Sequence, residues 1–208
     1  MKDRDVRDAL WARLAAEYQG DTETLLLHEL GLRGGVSRID LAVVNGSIHG
    51  FEIKSECDTL ERLPFQVAVY SQVFNLVTIV VAGRHWTKAL SIIPEWWGVM
   101  VATPEGATVS FEQKRLPRQN PQRDHGALLE LLWREECLAM LQSVSASDGV
   151  RGATKPMLRD KIVALFSCDQ IDDHVLRSLK ARERWRDLGS PGTPSVGPFR
   201  KGRGATGR

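Results

Sequence analysis

Residues 40–54 run Asp40-Leu41-Ala42-Val43-Val44-Asn45-Gly46-Ser47-Ile48-His49-Gly50-Phe51-Glu52-Ile53-Lys54. Two apolar runs, Ile39–Val44 and Ile48–Ile53, flank Asn45-Gly46, a dipeptide that readily takes the positive φ angles of a tight turn. The stretch predicts a β-hairpin. Strand side chains alternate, so Phe51 and Ile53 share one face and Glu52 and Lys54 the other. In the first strand Ile39, Leu41 and Val43 separate from Asp40 and Ala42. A two-residue loop sets Asp40 opposite Phe51 and mixes charge with core. A three-residue loop, Asn45-Gly46-Ser47, or a one-residue bulge, sets Leu41 opposite Phe51, Ile39 opposite Ile53 and Asp40 opposite Glu52. The second register keeps one face apolar and is the one expected.

That register brings two carboxylates together. Like charges directly opposite destabilise a sheet, so a cation is needed beside them. Lys54, two residues after Glu52, lies on the same face, and hard oxygen ligands with no thiol or imidazole cluster suit Mg²⁺ or Mn²⁺ rather than zinc. The alternative for the same residues is a solvated hairpin face carrying an ordinary salt bridge. Downstream, Ser55–Arg62 is polar and turn-like, and Pro64 opens a helix that runs to about Phe74. On it Leu63, Val67, Tyr70 and Phe74 form an apolar stripe and Gln66 lies beside Tyr70. Gln66 and Tyr70 read either as a pair at the rim of the site or as an exposed Gln next to a core Tyr.

In Glu29, Asp40 and the Glu52-Ile53-Lys54 triplet the chain resembles the PD-(D/E)XK nuclease superfamily, and in Gln66-Val67-Ala68-Val69-Tyr70 it looks like that superfamily's RecB-type branch, which carries Gln-x-x-x-Tyr on the helix after the last motif strand. The stretch from about residue 20 to 103 is also similar to a small bacterial family of nuclease-like proteins, in Gly50-Phe51-Glu52-Ile53-Lys54-Ser55 and Pro94-Glu95-Trp96-Trp97-Gly98. The proline of the superfamily's name is absent, since Ser37-Arg38-Ile39 precede Asp40. The resemblance implies an α/β, restriction-endonuclease-like core: a mixed central sheet flanked by helices. It implies a Mg²⁺- or Mn²⁺-dependent nuclease acting on DNA, with RNA left open. Glu29, Asp40, Glu52, Lys54, Gln66 and Tyr70 are its catalytic set, and Asp40, Glu52 and the Ile53 carbonyl its metal ligands. Lys54 would orient water or stabilise the transition state, Glu29 would sit near the metal or orient Lys54 or water from the edge of the site, and Gln66 and Tyr70 would position substrate or the catalytic face; the rival for Glu29 is a solvated glutamate at a helix end. Asp40 and Lys54 are expected to face away from the core, so that replacing either leaves the fold intact.

The 208 residues, 42% of them apolar, suffice for one substantial core and a small helical addition. No apolar run is long enough to span a membrane, and Met1-Lys2-Asp3-Arg4-Asp5 is charged where a signal peptide needs an apolar segment. A cytoplasmic protein is expected. Cys57, Cys137 and Cys168 lack ligand spacing and read as reduced and structural. Of the basic residues, Arg200, Lys201, Arg203 and Arg208 fall in a terminal stretch without acids, which leaves residues 1–188 mildly acidic although the whole chain is +2. Such a body does not coat nucleic acid by bulk charge, so binding has to be local.

Elsewhere Val6, Leu10 and Leu14 predict an amphipathic helix over 4–18, stopped by Gly20. Residues 22–28 are either a helix carrying Glu29 or a short strand leading into the Gly31–Gly35 loop. Leu76–Val81 reads as the central strand, buried on both faces. A short helix over His85–Ile93, a strand over Trp97–Thr103, a turn at Pro104-Glu105-Gly106 and an edge strand at Val109–Phe111 follow. Trp96-Trp97 could stack unpaired bases; between apolar elements, core packing is the stronger reading. The five histidines are scattered, and no GxSxG, Walker or GxGxxG motif occurs.

A polar linker over Pro117–Pro121 closes a first domain at about residue 115. Residues 116–188 form a helical C-terminal subdomain of three helices over 125–142 and 155–187, with Lys180, Arg182, Arg184 and Arg186 crowding its end to complement the helix dipole or meet phosphates. It could attach nucleic acid, act as a lid, or bind a second copy or another protein. Residues 189–208 lack the apolar content to recover their ordering entropy and are expected to be disordered. Two other functions stay open: a non-catalytic nucleic-acid- or protein-binding module on a nuclease-like scaffold, and a nuclease of defence or repair that a partner activates.

Overall fold

The computed structural model describes residues 1–150 and 152–182; the calls on the 189–208 tail, and on Arg184 and Arg186, lie outside them. Helix α1 (Asp3–Glu17) is followed by β1 (Leu25–Leu32), β2 (Ser37–Val44), β3 (Ile48–Lys54), α2 (Leu63–Val73), β4 (Leu76–Ala82), α3 (Trp86–Leu90), β5 (Gly98–Glu105) and β6 (Thr108–Arg115). The strands build one six-stranded mixed sheet in chain order, with β3, β4 and β5 parallel and the other neighbours antiparallel. Parallel neighbours need a crossover, and α2 and α3 lie in the two crossovers. The coarse expectation of an α/β protein, a mixed sheet flanked by helices, describes the molecule. Of the ambiguous residues 22–28, Leu25 to His28 begin β1 and none is helical, and β6 extends well beyond the short edge strand expected.

One face of the sheet is covered by α1, whose Val6, Leu10 and Leu14 pack on Leu41, Val43, Phe51, Ile53, Val80, Met100 and Ala102. The opposite face carries α2 over Ile39, Ala42, Val44, Ile48, Val77, Ile79 and Val81. Strand β4 contributes to both clusters, so it is buried on both sides, as its unbroken β-branched run requires. Gly50 is a close-approach position: a Cβ there would run into Ile39 and Phe74. Trp97 is fully buried, stacked 6.1 Å from Tyr70, and Trp96 packs edge-on against it, so the Trp pair is core.

After β6 the chain forms α4 (His125–Leu128), α5 (Arg134–Gln142), α6 (Lys155–Leu165) and α7 (Cys168–Ala181). The single helix predicted over 125–142 is broken, because Leu132 is extended (φ −73°, ψ 148°) and Trp133 starts a new helix whose Glu136 carboxylate accepts the Trp133 amide at 2.6 Å. Leu128, Leu132, Leu141, Leu158, Ile162, Val175 and Leu179 share one apolar cluster with the α2 face of the sheet. Arg123 ties the link before α4 to Asp172 of α7 through two bonds of 2.7 and 2.8 Å. Cys137 is buried and free, whereas Cys57 and Cys168 are exposed, so only Cys137 serves packing. Among the described residues no helix is long and apolar enough to cross a membrane.

Candidate active site

The hairpin has the three-residue-loop register: Leu41 faces Phe51, Ala42 Gly50, Val43 His49 and Val44 Ile48. The expected continuation to Ile39 opposite Ile53 and Asp40 opposite Glu52 does not form. The ladder stops at Leu41, and the Asp40 carboxylate takes over, its Oδ2 accepting the Ile53 amide at 2.7 Å. The same break runs through the neighbouring pair, where Leu30 faces Ile39 and His28 faces Leu41 while the register skips Glu29 and Asp40. Glu29 has φ +54°, a left-handed conformation that costs a non-glycine residue about 1–3 kcal/mol. The break reverses the alternation. Ile39 joins Leu27, Leu30, Ala42 and Val44 on the α2 face instead of Leu41 and Val43 on the α1 face, which corrects the face assigned to it from spacing. Such irregularities re-aim side chains, and here two carboxylates are re-aimed.

Beyond the break lie two networks. The first is buried: Glu52, Lys54 and Gln66 are 2%, 8% and 5% exposed. Glu52 Oε1 accepts Lys54 Nζ at 2.7 Å and Gln66 Nε2 at 2.6 Å. The Tyr70 hydroxyl lies 2.8 Å from both Glu52 Oε2 and the Arg38 carbonyl oxygen, with one proton to give, and accepts Gln66 Nε2 at 3.3 Å. Burial, reinforced by the Glu52 charge, pushes the Tyr70 phenol well above its ordinary range, so it acts as a neutral donor. Gln66 and Tyr70 thus share one buried network with Glu52, and the reading of an exposed Gln is wrong. Lys54 does not face away from the core either; it is the counter-ion of a buried carboxylate, and removing it leaves that charge unpaired.

The second network is half-buried and centres on Arg7 of α1, which sequence reasoning missed. Its Nη2 donates to Asp3 Oδ2 at 2.7 Å and to Asp40 Oδ1 at 3.3 Å, and its Nη1 to Glu29 Oε1 at 3.0 Å. Arg38 holds the other Glu29 oxygen at 3.2 Å. Burial opposes the Arg7 charge, but Asp40, Asp3 and Glu29 outweigh it and raise its pKa. A signal was present: Asp3, Arg7, Leu10 and Leu14 lie at helical spacing, so the apolar stripe of α1 ends in an ion pair aimed at the sheet. Glu29 is therefore engaged by two arginines rather than by Lys54.

Between the networks sits Asp40. Burial, and then the nearby Glu52 charge, push its carboxyl up to about 7. Asp40, Glu52 and the Ile53 carbonyl are the hard oxygen donors that suit Mg²⁺ or Mn²⁺. A strand residue's N–H and C=O point to the same neighbour, so the Ile53 carbonyl faces the side on which its amide meets Asp40. Gln66 Oε1 is buried without a donor among the described residues, a further acceptor beside Glu52. These oxygens are of the kind a hard cation takes, although among the described residues no three His, Cys, Asp or Glu side chains group as metal ligands.

A family model of bacteriophage P4 protein cII matches residues 2–188. Protein cII of Enterobacteria phage P4 is 26% identical to the chain over 163 residues, which cover 77% of this chain and 60% of that protein. The chain thus spans less than two thirds of that relative's length. Among solved structures, a protein of unknown function from Silicibacter pomeroyi shares 18% identity with a TM-score of 0.39, over 70% of this chain and 90% of that one. Matched over nearly all of its length by the family model, the chain belongs to the bacteriophage P4 protein cII family.

Proposed function

We propose that this protein is a metal-dependent nuclease that hydrolyses phosphodiester bonds in DNA, working in the cytoplasm. The observation that carries the reading is the buried Glu52–Lys54 pair, enclosed by Gln66 and Tyr70 and set beside Asp40 where the β2–β3 ladder stops. Taking ions out of water costs several kcal/mol each, and apolar residues of the same volume stabilise a core as well or better. A buried ion pair beside a carboxyl whose pKa burial raises strongly marks a candidate functional site. A Mg²⁺ or Mn²⁺ ion held by Asp40, Glu52 and the Ile53 carbonyl would acidify a water and neutralise charge on the scissile phosphate. Gln66 and Tyr70 fix the Glu52 carboxylate. Lys54, held 2.7 Å from Glu52 Oε1, would orient the attacking water or stabilise charge developing on the phosphate.

Cleavage of supercoiled plasmid, linear duplex and single-stranded DNA in Mg²⁺, Mn²⁺ or EDTA tests the proposal. Cutting that requires both the metal and Asp40 is expected. A second reading, a binding module on the same scaffold, is favoured by one observation: each carboxylate oxygen of Asp40 and Glu52 already has a donor within the chain. DNA binding without cutting in any metal would select it.

A further inference from the structure

We propose that Arg7 is a further positioning residue of this site: it stands in for the divalent cation on Asp40 and releases Asp40 Oδ1 when that cation binds. The inference rests on the metal reading above. Of the three bonds made by the guanidinium, the one to Asp40 is the longest, 3.3 Å against 2.7 Å to Asp3 and 3.0 Å to Glu29. Arg7 can therefore give up Asp40 and remain anchored by the other two. Its place on the helix is independent of helix docking, which Val6, Leu10 and Leu14 secure through the core. The guanidinium is also incompletely matched, its Nε being buried with no acceptor among the described residues, so the seat is not one selected for ion-pair stability alone.

Charge makes the exchange favourable. Asp3, Glu29, Asp40 and Glu52 face Arg7, Arg38 and Lys54. Once Arg7 leaves Asp40, the Asp40–Glu52 pair retains only Lys54, and a divalent ion restores the balance. Arg7 remains next to the site with the Nη2 hydrogen-bond position that Asp40 leaves open to a substrate phosphate oxygen, a role that guanidinium geometry suits.

Titration calorimetry with Mn²⁺ alone, without substrate, separates the outcomes. Removing a positive charge a few ångströms from the ion raises its affinity, so Arg7→Gln is expected to bind Mn²⁺ roughly tenfold more tightly than wild type, and Arg7→Lys to stay within about threefold of it. Arg7→Met, which keeps the aliphatic stem, is expected to match Arg7→Gln and serves if that variant fails to fold. Mn²⁺ binding by Arg7→Gln but not by wild type also supports the proposal. Equal or weaker binding by the uncharged variants, with wild type binding, overturns the role of Arg7 and leaves the metal reading standing. No Mn²⁺ binding by any of them overturns both.

Discussion

The two networks that meet at Asp40 are built on opposite principles. Around Glu52, an ion pair is sealed into the α2 face by Gln66 and Tyr70, and each side chain is held by core packing. Around Arg7, carboxylates from α1, β1 and β2 share one guanidinium at a half-exposed rim, and Glu29 is kept in a left-handed conformation there. The contrast separates a fixed arm of the site from an adjustable one. A buried charge cannot lose its partner without a large cost, whereas a contact at the exposed edge of the rim, such as Arg38–Glu29, exchanges with water at little cost.

The largest effect that sharpens this contrast is expected at Lys54. Lys54→Ala leaves Glu52 buried and unpaired, and should cost about 3–5 kcal/mol in chemical denaturation as well as all cleavage. Glu52→Gln combined with Lys54→Met removes both charges and should cost clearly less. Equal losses in the two proteins would break the claim of a sealed ion pair.

Further along the same strand, His49 provides a half-buried group kept neutral instead of paired. Its ring stacks on Phe51, its Nε2 lies 2.9 Å from Thr78 Oγ1, and burial lowers its pKa from 6.5 to about 4. Because the folded pKa is depressed, stability is fully present above pH 6.5 and is lost as pH falls through that value towards 4. The loss reaches at most about 3 kcal/mol at the acid end. Denaturation of wild type and His49→Gln at pH 7 and pH 4.5 measures it: the variant's acid loss should be smaller, and identical losses would remove His49 from the account.

A smaller effect is expected at Tyr70. Tyr70→Phe deletes the hydroxyl at Glu52 Oε2 and should cost about 1.5–3 kcal/mol, the value of a hydrogen bond to a charged group. At the rim, Arg38 is 60% exposed and pairs with Glu29 at 3.2 Å. Arg38→Gln should change stability by less than about 1 kcal/mol; a loss as large as that of Tyr70→Phe would show that the rim is not the adjustable arm.

The buried arm was legible because it lies on regular elements. Period-two spacing put Glu52 and Lys54 together, a four-residue helical step put Gln66 beside Tyr70, and the clean-face criterion picked the hairpin register. What spacing could not show is that Lys54 and Gln66 are enclosed, since burial depends on helices distant in sequence. The rim was poorly legible for a different reason. Periodic reasoning assumes that alternation continues, and at Glu29 and Asp40 it does not, so Ile39 changes face and the Asp40 carboxylate replaces a ladder bond. Arg7 is brought there by packing of α1 across the sheet, a contact between segments that local patterns do not relate. The helix expected over 125–142 failed on a single extended residue, Leu132, whose conformation its side chain does not announce.

The most direct test of the central claim is plasmid nicking by wild type beside the near-isosteric variants Asp40→Asn and Glu52→Gln, each in Mg²⁺, Mn²⁺ and EDTA. The account predicts nicking by wild type in metal, none in EDTA, and loss in both variants, with the fold retained in Asp40→Asn and stability reduced in Glu52→Gln, which leaves Lys54 unpaired. Nicking that persists in EDTA or in both variants, or no nicking by wild type under any of these conditions, would contradict it.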